Sequence, residues 1–307
     1  LVFVALSSLL FAQEAYFPMP VSRVLVTGNS YFSEQAVLAL VTLNAQAGKR
    51  ILASELQEDK ELLYSSGYFS EVSANWQNSS VGLVVLYSVR ENPVLESIVL
   101  SGNISLKENY LIHNLQMTVG QPLNYKMLEQ DLKRIARIYK DAGYELSRPS
   151  DAYLDQLTGI LYIKIEETRV GRISFKGNDK ARTILLQREV EAVNGDVFNS
   201  NKIRDDRNRL LRTGLFANVS TPKLSISPTP GEVDIGFDVE ERKTHQLNFG
   251  YGVSSREQFG FAKLTLLNFF EWGETITIRA QNGYELGKQK QTYLFRYYTP
   301  WIIGQRR

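Results

Sequence analysis

The feature that most constrains the fold is a sequence pattern that occurs three times between residues 21 and 244. Its first landmark is a Gly-Asn pair, found at Gly28-Asn29, Gly102-Asn103 and Gly177-Asn178, so successive copies start 102 − 28 = 74 and 177 − 102 = 75 residues apart. A fixed period of this length indicates one small domain repeated in tandem.

Three further landmarks follow in the same order in every copy. A glycine separates two helical stretches, a second glycine followed by an apolar or aromatic residue ends the second stretch, and an extended run closes the copy on an acidic end. These landmarks are, copy by copy, Gly48, Gly67-Tyr68-Phe69 and Val89-Arg90-Glu91; Gly120, Gly143-Tyr144 and Ile165-Glu166-Glu167; and Gly195, Gly214-Leu215-Phe216 and Val239-Glu240-Glu241. Chance recurrence of common turn residues is a poor explanation for so many landmarks in one order.

The apolar periodicity within each copy predicts its elements. In the first copy, Val21–Thr27 alternates as a strand does and Ser33 is placed to cap a helix. The second helix of the first copy is expected to bury Leu56, Leu62 and Leu63. The equivalent helices have apolar residues at helical spacing, namely Leu128, Leu132, Ile135 and Tyr139 in the second copy and Ile203, Leu210 and Leu211 in the third. In the third copy, the charged residues of that helix are expected to face water; they are Arg204, Asp205, Asp206, Arg207 and Arg209.

Two strands follow the second helix, so each copy is predicted to fold as βααββ. The expected fold class is therefore α+β, with repeats at residues 21–93, 94–169 and 170–244, each a three-stranded sheet with two helices on one side. An unpaired sheet edge can accept an extended peptide through backbone hydrogen bonds. We expect the strands that begin at Phe69 and Phe216 to bind unfolded β-rich clients; the candidate residues are Phe69, Val72, Phe216 and Val219. The alternative is that charge and twist merely protect these edges.

The pattern changes after residue 244, where a period of two replaces the helical spacing. In the first run, one apolar face is formed by Leu247, Phe249, Tyr251 and Val253. Three more runs follow, around residues 259–269, 275–281 and 293–297. Such runs approach the length of a tilted transmembrane strand, about 9 to 11 residues. Residues 245–307 are therefore predicted to be the N-terminal part of an outer-membrane β-barrel, and a soluble four-stranded sheet is the alternative.

Four strands are too few to close a barrel, because known outer-membrane barrels have about eight or more. We therefore expect the chain to be a fragment of a longer protein. At the other end, residues 1–15 contain the apolar run LVFVALSSLLF followed by small residues, which is typical of a signal peptide. A buried strand is the alternative for this segment.

The composition limits the remaining function classes. A net charge of +2 provides no field that would attract nucleic acid, and the absence of cysteine excludes thiolate nucleophiles and zinc-thiolate sites. The two histidines, His113 and His245, lie in different segments and are expected to be ordinary polar positions. No catalytic triad or phosphate-binding loop is found, so no catalytic, cofactor-binding or metal site is predicted and the protein is not expected to be an enzyme.

The three copies and the strands behind them resemble the BamA/TamA superfamily of outer-membrane assembly factors, which have periplasmic POTRA repeats and a C-terminal β-barrel. The resemblance rests on the repeated landmarks and on two segments in the last part of the chain, residues 268–274 (NFFEWGE) and 298–304 (YTPWIIG). It covers nearly all of residues 21–307.

The resemblance implies a protein located in the outer membrane that receives unfolded outer-membrane proteins on its repeats and inserts them through a seam in its barrel. The first barrel strand, with Leu247, Phe249, Tyr251 and Val253, would lie at that seam. The implied partners are unfolded outer-membrane proteins, periplasmic chaperones or accessory assembly subunits, and outer-membrane lipid. A two-partner secretion transporter that exports one dedicated partner is the alternative, although such transporters usually have two repeats rather than three.

Overall fold

A computed structural model describes residues 16–243, 245–299, 301–302 and 305–306 of the chain. The predicted signal peptide at residues 1–15 lies outside the described residues. The chain forms two compact units: one contains the first two repeats without residues 139–148, and the other contains those residues, the third repeat and the strands that follow it.

The first repeat has the predicted element order. Its elements are β1 (Val21–Thr27), α1 (Glu34–Ala39), α2 (Ala53–Ser65), β2 (Phe69–Ser79) and β3 (Gly82–Glu91). The sheet order is β1-β3-β2, with β1 parallel and β2 antiparallel to β3. The Ser33 hydroxyl caps α1 by accepting the Ala36 backbone N–H at 3.2 Å. Leu56 and Leu63 of α2 are buried as expected, whereas the prediction for Leu62 was wrong because its side chain is 39% exposed.

The second repeat repeats this arrangement. Its elements are β4 (Ser97–Ser101), α3 (Glu108–His113), α4 (Tyr125–Asp141), β5 (Arg148–Asp155) and β6 (Ile160–Glu166). The sheet order is β4-β6-β5, again with the first strand parallel to the last. Helix α4 has 17 residues, whereas α2 has 13, so it is about one turn longer. Leu128, Ile135 and Tyr139 are buried, and Leu132 is half-buried.

The third repeat departs from the prediction in one respect. Its elements are β7 (Arg169–Lys176), α5 (Thr183–Glu189), α6 (Ser200–Arg212), β8 (Phe216–Val219), β9 (Lys223–Ile226) and β10 (Glu232–Glu241). The sheet has four strands instead of three, because the strand next to β10 is broken into β8 and β9. Pro222 lies in the break, and a proline has no N–H to donate to a strand ladder.

After the third repeat the chain forms an open antiparallel sheet. Its strands are β11 (His245–Val253), β12 (Glu257–Leu267), β13 (Thr275–Glu285) and β14 (Lys288–Tyr298), in that order. A short pair follows, β15 (Trp301–Ile302) with β16 (Gln305–Arg306). These strands do not close a barrel, so the transmembrane assignment of residues 245–307 stays a prediction. Each helix in the described part of the chain is too short or too polar to cross a bilayer.

Candidate functional site

The Gly-Asn pair forms the same turn in each repeat. The side-chain amide of Asn29 donates to the carbonyl of Phe32 at 2.8 Å, and Gly28 has a φ of +82°. A side chain on Gly28 would collide with the carbonyl oxygen of Val89 in the last strand of the repeat. The equivalent bonds join Asn103 to Leu106 at 3.0 Å and Asn178 to Ala181 at 2.9 Å, with equivalent collisions at Ile165 and Val239. In each repeat, the Gly-Asn pair therefore holds the first loop in close contact with the last strand.

The acidic end of the repeat closes the same loop. The Glu91 carboxylate accepts the backbone N–H groups of Ser30, Tyr31 and Phe32 at 3.0, 2.7 and 2.9 Å. Burial opposes ionisation of Glu91, but these hydrogen bonds outweigh it and hold its pKa below the ordinary value. In the third repeat Glu241 accepts the N–H groups of Lys180 and Ala181 at 2.9 and 2.6 Å. These glutamates therefore have a structural role.

Each repeat also buries one aspartate of its second helix, which the sequence analysis missed. Asp59, Asp131 and Asp206 are 0% exposed, so the expectation that Asp206 faces water was wrong. Each carboxylate accepts two consecutive backbone N–H groups after the first helix; the pairs are Asn44 and Ala45, Gln116 and Met117, and Glu191 and Ala192. Burial raises the pKa of Asp206, against the effect of the backbone donors. The sequence did contain a signal for this burial: each aspartate lies one helical turn before a buried apolar residue, and therefore on the same face of its helix.

Adjacent repeats are joined by a contact that recurs. At the first junction, the Asn124 side-chain amide donates to the carbonyl of Ser66 at 2.9 Å, and the Tyr125 N–H donates to that of Gly67 at 2.9 Å. The Asn92 side chain adds bonds to the carbonyls of Gly67 and Leu123, at 2.9 and 2.7 Å. At the second junction, Asn199 donates to Ala142 at 3.1 Å and the Ser200 N–H donates to Gly143 at 2.8 Å.

The proposed client-binding edge of the first repeat is strand β2. Within the described residues β2 pairs with another strand on one side only. A groove of about 590 Å³ lies between this strand and α2, with Lys60, Tyr64 and Val72 in its lining. The side chains of Phe69 and Val72 are only 2% and 8% exposed, so an added strand would bind chiefly through the backbone of β2.

The proposed edge of the third repeat is built differently. Phe216 and Val219 are buried in the core, at 1% and 0% exposure. The edge is interrupted after Val219: the Ser220 N–H donates to the carbonyl of Asp238 at 2.9 Å, and strand pairing with β10 resumes at Lys223. The residues proposed from the sequence are thus core residues on both edges, and their client-binding role stays a prediction.

The sheet after residue 244 has one exposed apolar face. Leu247, Phe249, Tyr251 and Val253 lie on it, with exposures of 59%, 74%, 71% and 63%. The face continues across the sheet, because Leu247 lies opposite Leu264, Leu264 opposite Ile278 and Ile278 opposite Phe295. On the other face, the rings of Phe261 and Phe259 cover Gly250 and Gly252, and Arg279 lies 4.3 Å from the Phe261 ring centroid. Strand β11 pairs with β12 alone among the described residues, which leaves its other edge open.

The turn between β12 and β13 has a defined structure and contacts the third repeat. Glu274 is fully buried and accepts the backbone N–H groups of Phe270 and, at 3.0 Å, Trp272. Arg182 at the start of α5 lies over the Trp272 ring, 4.4 Å from its centroid, and 3.6 Å from the Glu271 carboxylate. Residues 268–274 are therefore a docking turn rather than a free loop.

No cluster of three metal-ligating side chains occurs within the described ranges. His113 lies in the last turn of α3 and His245 begins β11.

Three tandem βααββ repeats, followed by an antiparallel sheet with an exposed apolar face, define a class of tandem-repeat protein. The POTRA family model, described as "Surface antigen variable number repeat", matches residues 19–92, 93–167 and 168–242. The chain belongs to the POTRA family. It is a protein of the BamA/TamA type, located at the outer membrane with its repeats in the periplasm.

Curated relatives and solved structures agree with this membership. The chain is 27% identical to the outer membrane protein assembly factor BamA of Nitratidesulfovibrio vulgaris, over 65% of this chain and 27% of the relative. It is 26% identical to a putative outer membrane protein assembly factor of Treponema pallidum, over 92% of this chain and 37% of the relative. The chain thus spans well under half the length of these relatives.

Among solved structures, POTRA1-3 of the periplasmic domain of Omp85 from Anabaena is 26% identical, with a TM-score of 0.56 over 75% of this chain and 97% of that one. The N-terminal domain of Omp85 from Thermosynechococcus elongatus has a TM-score of 0.63 at 24% identity, over 73% of this chain and 98% of that one. This second match supports the fold alone.

Proposed function

We propose that the protein assembles outer-membrane proteins: its repeats receive unfolded β-barrel clients in the periplasm, and its membrane part inserts them. The observation that supports this most directly is the combination of three POTRA repeats with a following sheet whose strands have 9, 11, 11 and 11 residues and share one exposed apolar face. Strands of this length and alternation suit a bilayer.

Client receipt is proposed to occur by strand addition at the sheet edges of the repeats, and the edges that begin at Phe69 and Phe216 are the candidates. An added strand gains its affinity from backbone hydrogen bonds, so one edge can serve clients of different sequence. The groove between α2 and β2 provides room beside the first of these edges. Accessory assembly subunits or chaperones are expected to deliver the clients.

Insertion is proposed to use the four strands after residue 244 as the start of a barrel wall. Leu247, Phe249, Tyr251 and Val253 would face lipid, while the outer edge of β11 would form the seam at which a client strand pairs. In hydrocarbon, an unpaired edge leaves backbone groups unsatisfied at several kcal/mol each, so an open β11 edge would be stabilised by an incoming strand.

The test is assisted folding in lipid vesicles that contain the protein. A urea-unfolded outer-membrane β-barrel protease is added, and its activity, which requires folding, is followed over time. Assembly activity predicts faster recovery than in empty vesicles and in vesicles with an unrelated barrel protein. An equal rate in all three would contradict the proposal. An exporter would leave that rate unchanged and would instead transfer one soluble secreted partner across the vesicle membrane.

A further inference from the structure

In each repeat, the strand that follows the second helix forms one edge of the sheet, and this edge strand differs among the three repeats. We propose that β2 of the first repeat is the strand-accepting edge of the array and that the corresponding edges of the second and third repeats are closed to strand addition. This inference rests on the proposed function and retains only one of its two candidate edges, the one that begins at Phe69.

Strand β2 is a long edge with few protective features, since Glu71 is its one charged residue and its one register irregularity lies next to that residue. It has 11 residues, Phe69–Ser79, and pairs with β3 along its whole length, with one irregularity near Phe69. Natural edge strands are commonly guarded by lysine, proline or a break. Neither lysine nor proline occurs in β2, and its outward side presents the small or neutral side chains Ser73, Asn75 and Gln77.

The opposite edge of the same sheet, β1, is less available. The Val26 N–H donates to the Glu34 carboxylate at 3.0 Å, and the Val21 N–H donates to the carbonyl of Lys49 at 2.8 Å. Part of the outer backbone of β1 is therefore already paired within the repeat.

The third repeat carries three protective features at the β2 position. The strand is divided into β8 and β9, each of only four residues. Pro222 and Pro228 lie on either side of β9. Lys223 within β9 forms an ion pair with Asp238 at 2.5 Å. An incoming strand would therefore meet an edge that is interrupted, that is flanked by prolines without N–H donors, and that carries a charge.

The second repeat is guarded in a milder way. Its edge strand β5 has eight residues and contains Pro149 next to its start. Asp151 and Asp155 add negative charge along the strand, and Tyr153 is occupied in a ring stack with Tyr162 at 5.0 Å. Strand β5 is shorter than β2, and Pro149 would interrupt the hydrogen bonds to an added strand near one end.

The occupant that suits β2 is one extended strand of an unfolded outer-membrane protein. The length fits, because β2 has 11 residues and β12, β13 and β14, strands of the predicted membrane sheet, also have 11. The groove beside this edge has both apolar and charged lining residues, among them Tyr64, Val72, Glu71 and Arg90. An added strand with alternating apolar and polar side chains could therefore contact both kinds of residue.

The absence of cysteine permits a direct test by disulfide cross-linking. Single cysteines are introduced by Gln77→Cys, Asp151→Cys and Ser225→Cys in the full chain in detergent micelles. Gln77 and Ser225 are a matched pair, since they lie opposite Val84 and Asp234 on the last strands of their repeats. All three side chains are exposed in the structure, so their thiols are accessible. The probe is a peptide with the sequence of β13, residues 275–285, with cysteine in place of Ala280.

We expect the peptide to cross-link to Gln77→Cys about tenfold more than to the other two variants, after correction for the reactivity of each thiol with a small reagent. The same peptide with alternate amides N-methylated should lose this preference, because it cannot complete the ladder. Equal or greater cross-linking at Ser225→Cys would overturn the inference that β2 is the accepting edge, but it would still support strand addition as the binding mode. No cross-linking above the methylated control at any position would refute strand addition itself, and the inference with it.

Discussion

The side-chain amide of Asn124 donates to the carbonyl oxygen of Ser66 at 2.9 Å, which ties the start of α4 to the end of α2. The same side chain accepts the Met127 N–H at 2.9 Å and so caps its own helix. One residue therefore serves as a helix cap and as a junction between two repeats. Asn199 has both roles in the third repeat.

We expect Asn124→Ala to destabilise the first two repeats together. Loss of the cap alone costs about 1 kcal/mol, and loss of the bond to Ser66 adds to it. The measurement is the free energy of unfolding by urea, with Asn78→Ala at an exposed position of β2 as the control. An effect no larger than that of the control would show that the junction contributes nothing to stability.

The glycine at the end of the second helix is expected to matter more in the first repeat than in the third. Gly67 and Gly214 both have positive φ, +86° and +76°, so valine at either position should cost on the order of 1 kcal/mol. At Gly67 an added side chain would also collide with Asn124 and lie 2.9 Å from the Lys126 backbone nitrogen, whereas nothing lies within 4 Å at Gly214.

Gly67→Val should therefore lower the unfolding free energy clearly more than Gly214→Val. Asparagine tolerates positive φ, so Gly214→Asn should be close to wild type while Gly67→Asn should not. Thermal unfolding of the four variants would measure this. Equal losses at the two positions would mean that the collision with the next repeat is relieved at little cost.

Much of the fold of the repeats could be predicted from the sequence, because the landmark residues form turns, caps and strands through local contacts. The Gly-Asn turn, the Ser33 cap and the alternating strands depend on neighbours in the chain, so residue type and spacing were enough. Asp206 could not be placed, because its burial depends on N–H groups of Glu191 and Ala192 that lie in another segment. The broken third edge had one signal in the sequence, Pro222, which has no N–H to donate to a strand ladder. The contact of Arg182 with Trp272 joins distant segments and leaves no periodic signal.

A pH-dependent contribution to stability is expected from Glu91. Its folded-state pKa lies below the ordinary value of 4.5, so its hydrogen bonds to the first loop stabilise the fold above pH 4.5 and are lost as the pH falls through the folded pKa. Glu91→Gln should be less stable than wild type at neutral pH and should show a shallower loss of stability below pH 4.5. Urea unfolding at several pH values is the measurement, with the exposed Glu71→Gln as the control. Parallel pH profiles for wild type and Glu91→Gln would contradict the assignment.

The last prediction concerns the sheet after residue 244. In water, an apolar face that includes Phe249 at 74% exposure and Tyr293 at 75% would promote aggregation, and the open edge of β11 would add to it. In a membrane the same face would contact hydrocarbon. In the first and third repeats, by contrast, the sheet residues Val85 and Phe237 pack into a buried core that includes the helix residues Leu63 and Leu210.

Residues 21–244 expressed without detergent should therefore be soluble and monomeric, whereas residues 21–307 should aggregate or require detergent. Light scattering and size-exclusion chromatography would distinguish the two. A matched control is residues 21–307 with polar replacements on the apolar face, Leu247→Thr, Phe249→Thr, Tyr251→Thr and Phe295→Thr, which should restore solubility if that face is the cause. A longer fragment that is monomeric in water with its native residues would instead support a soluble four-stranded sheet, because a lipid-facing surface of this size has no partner in aqueous solution.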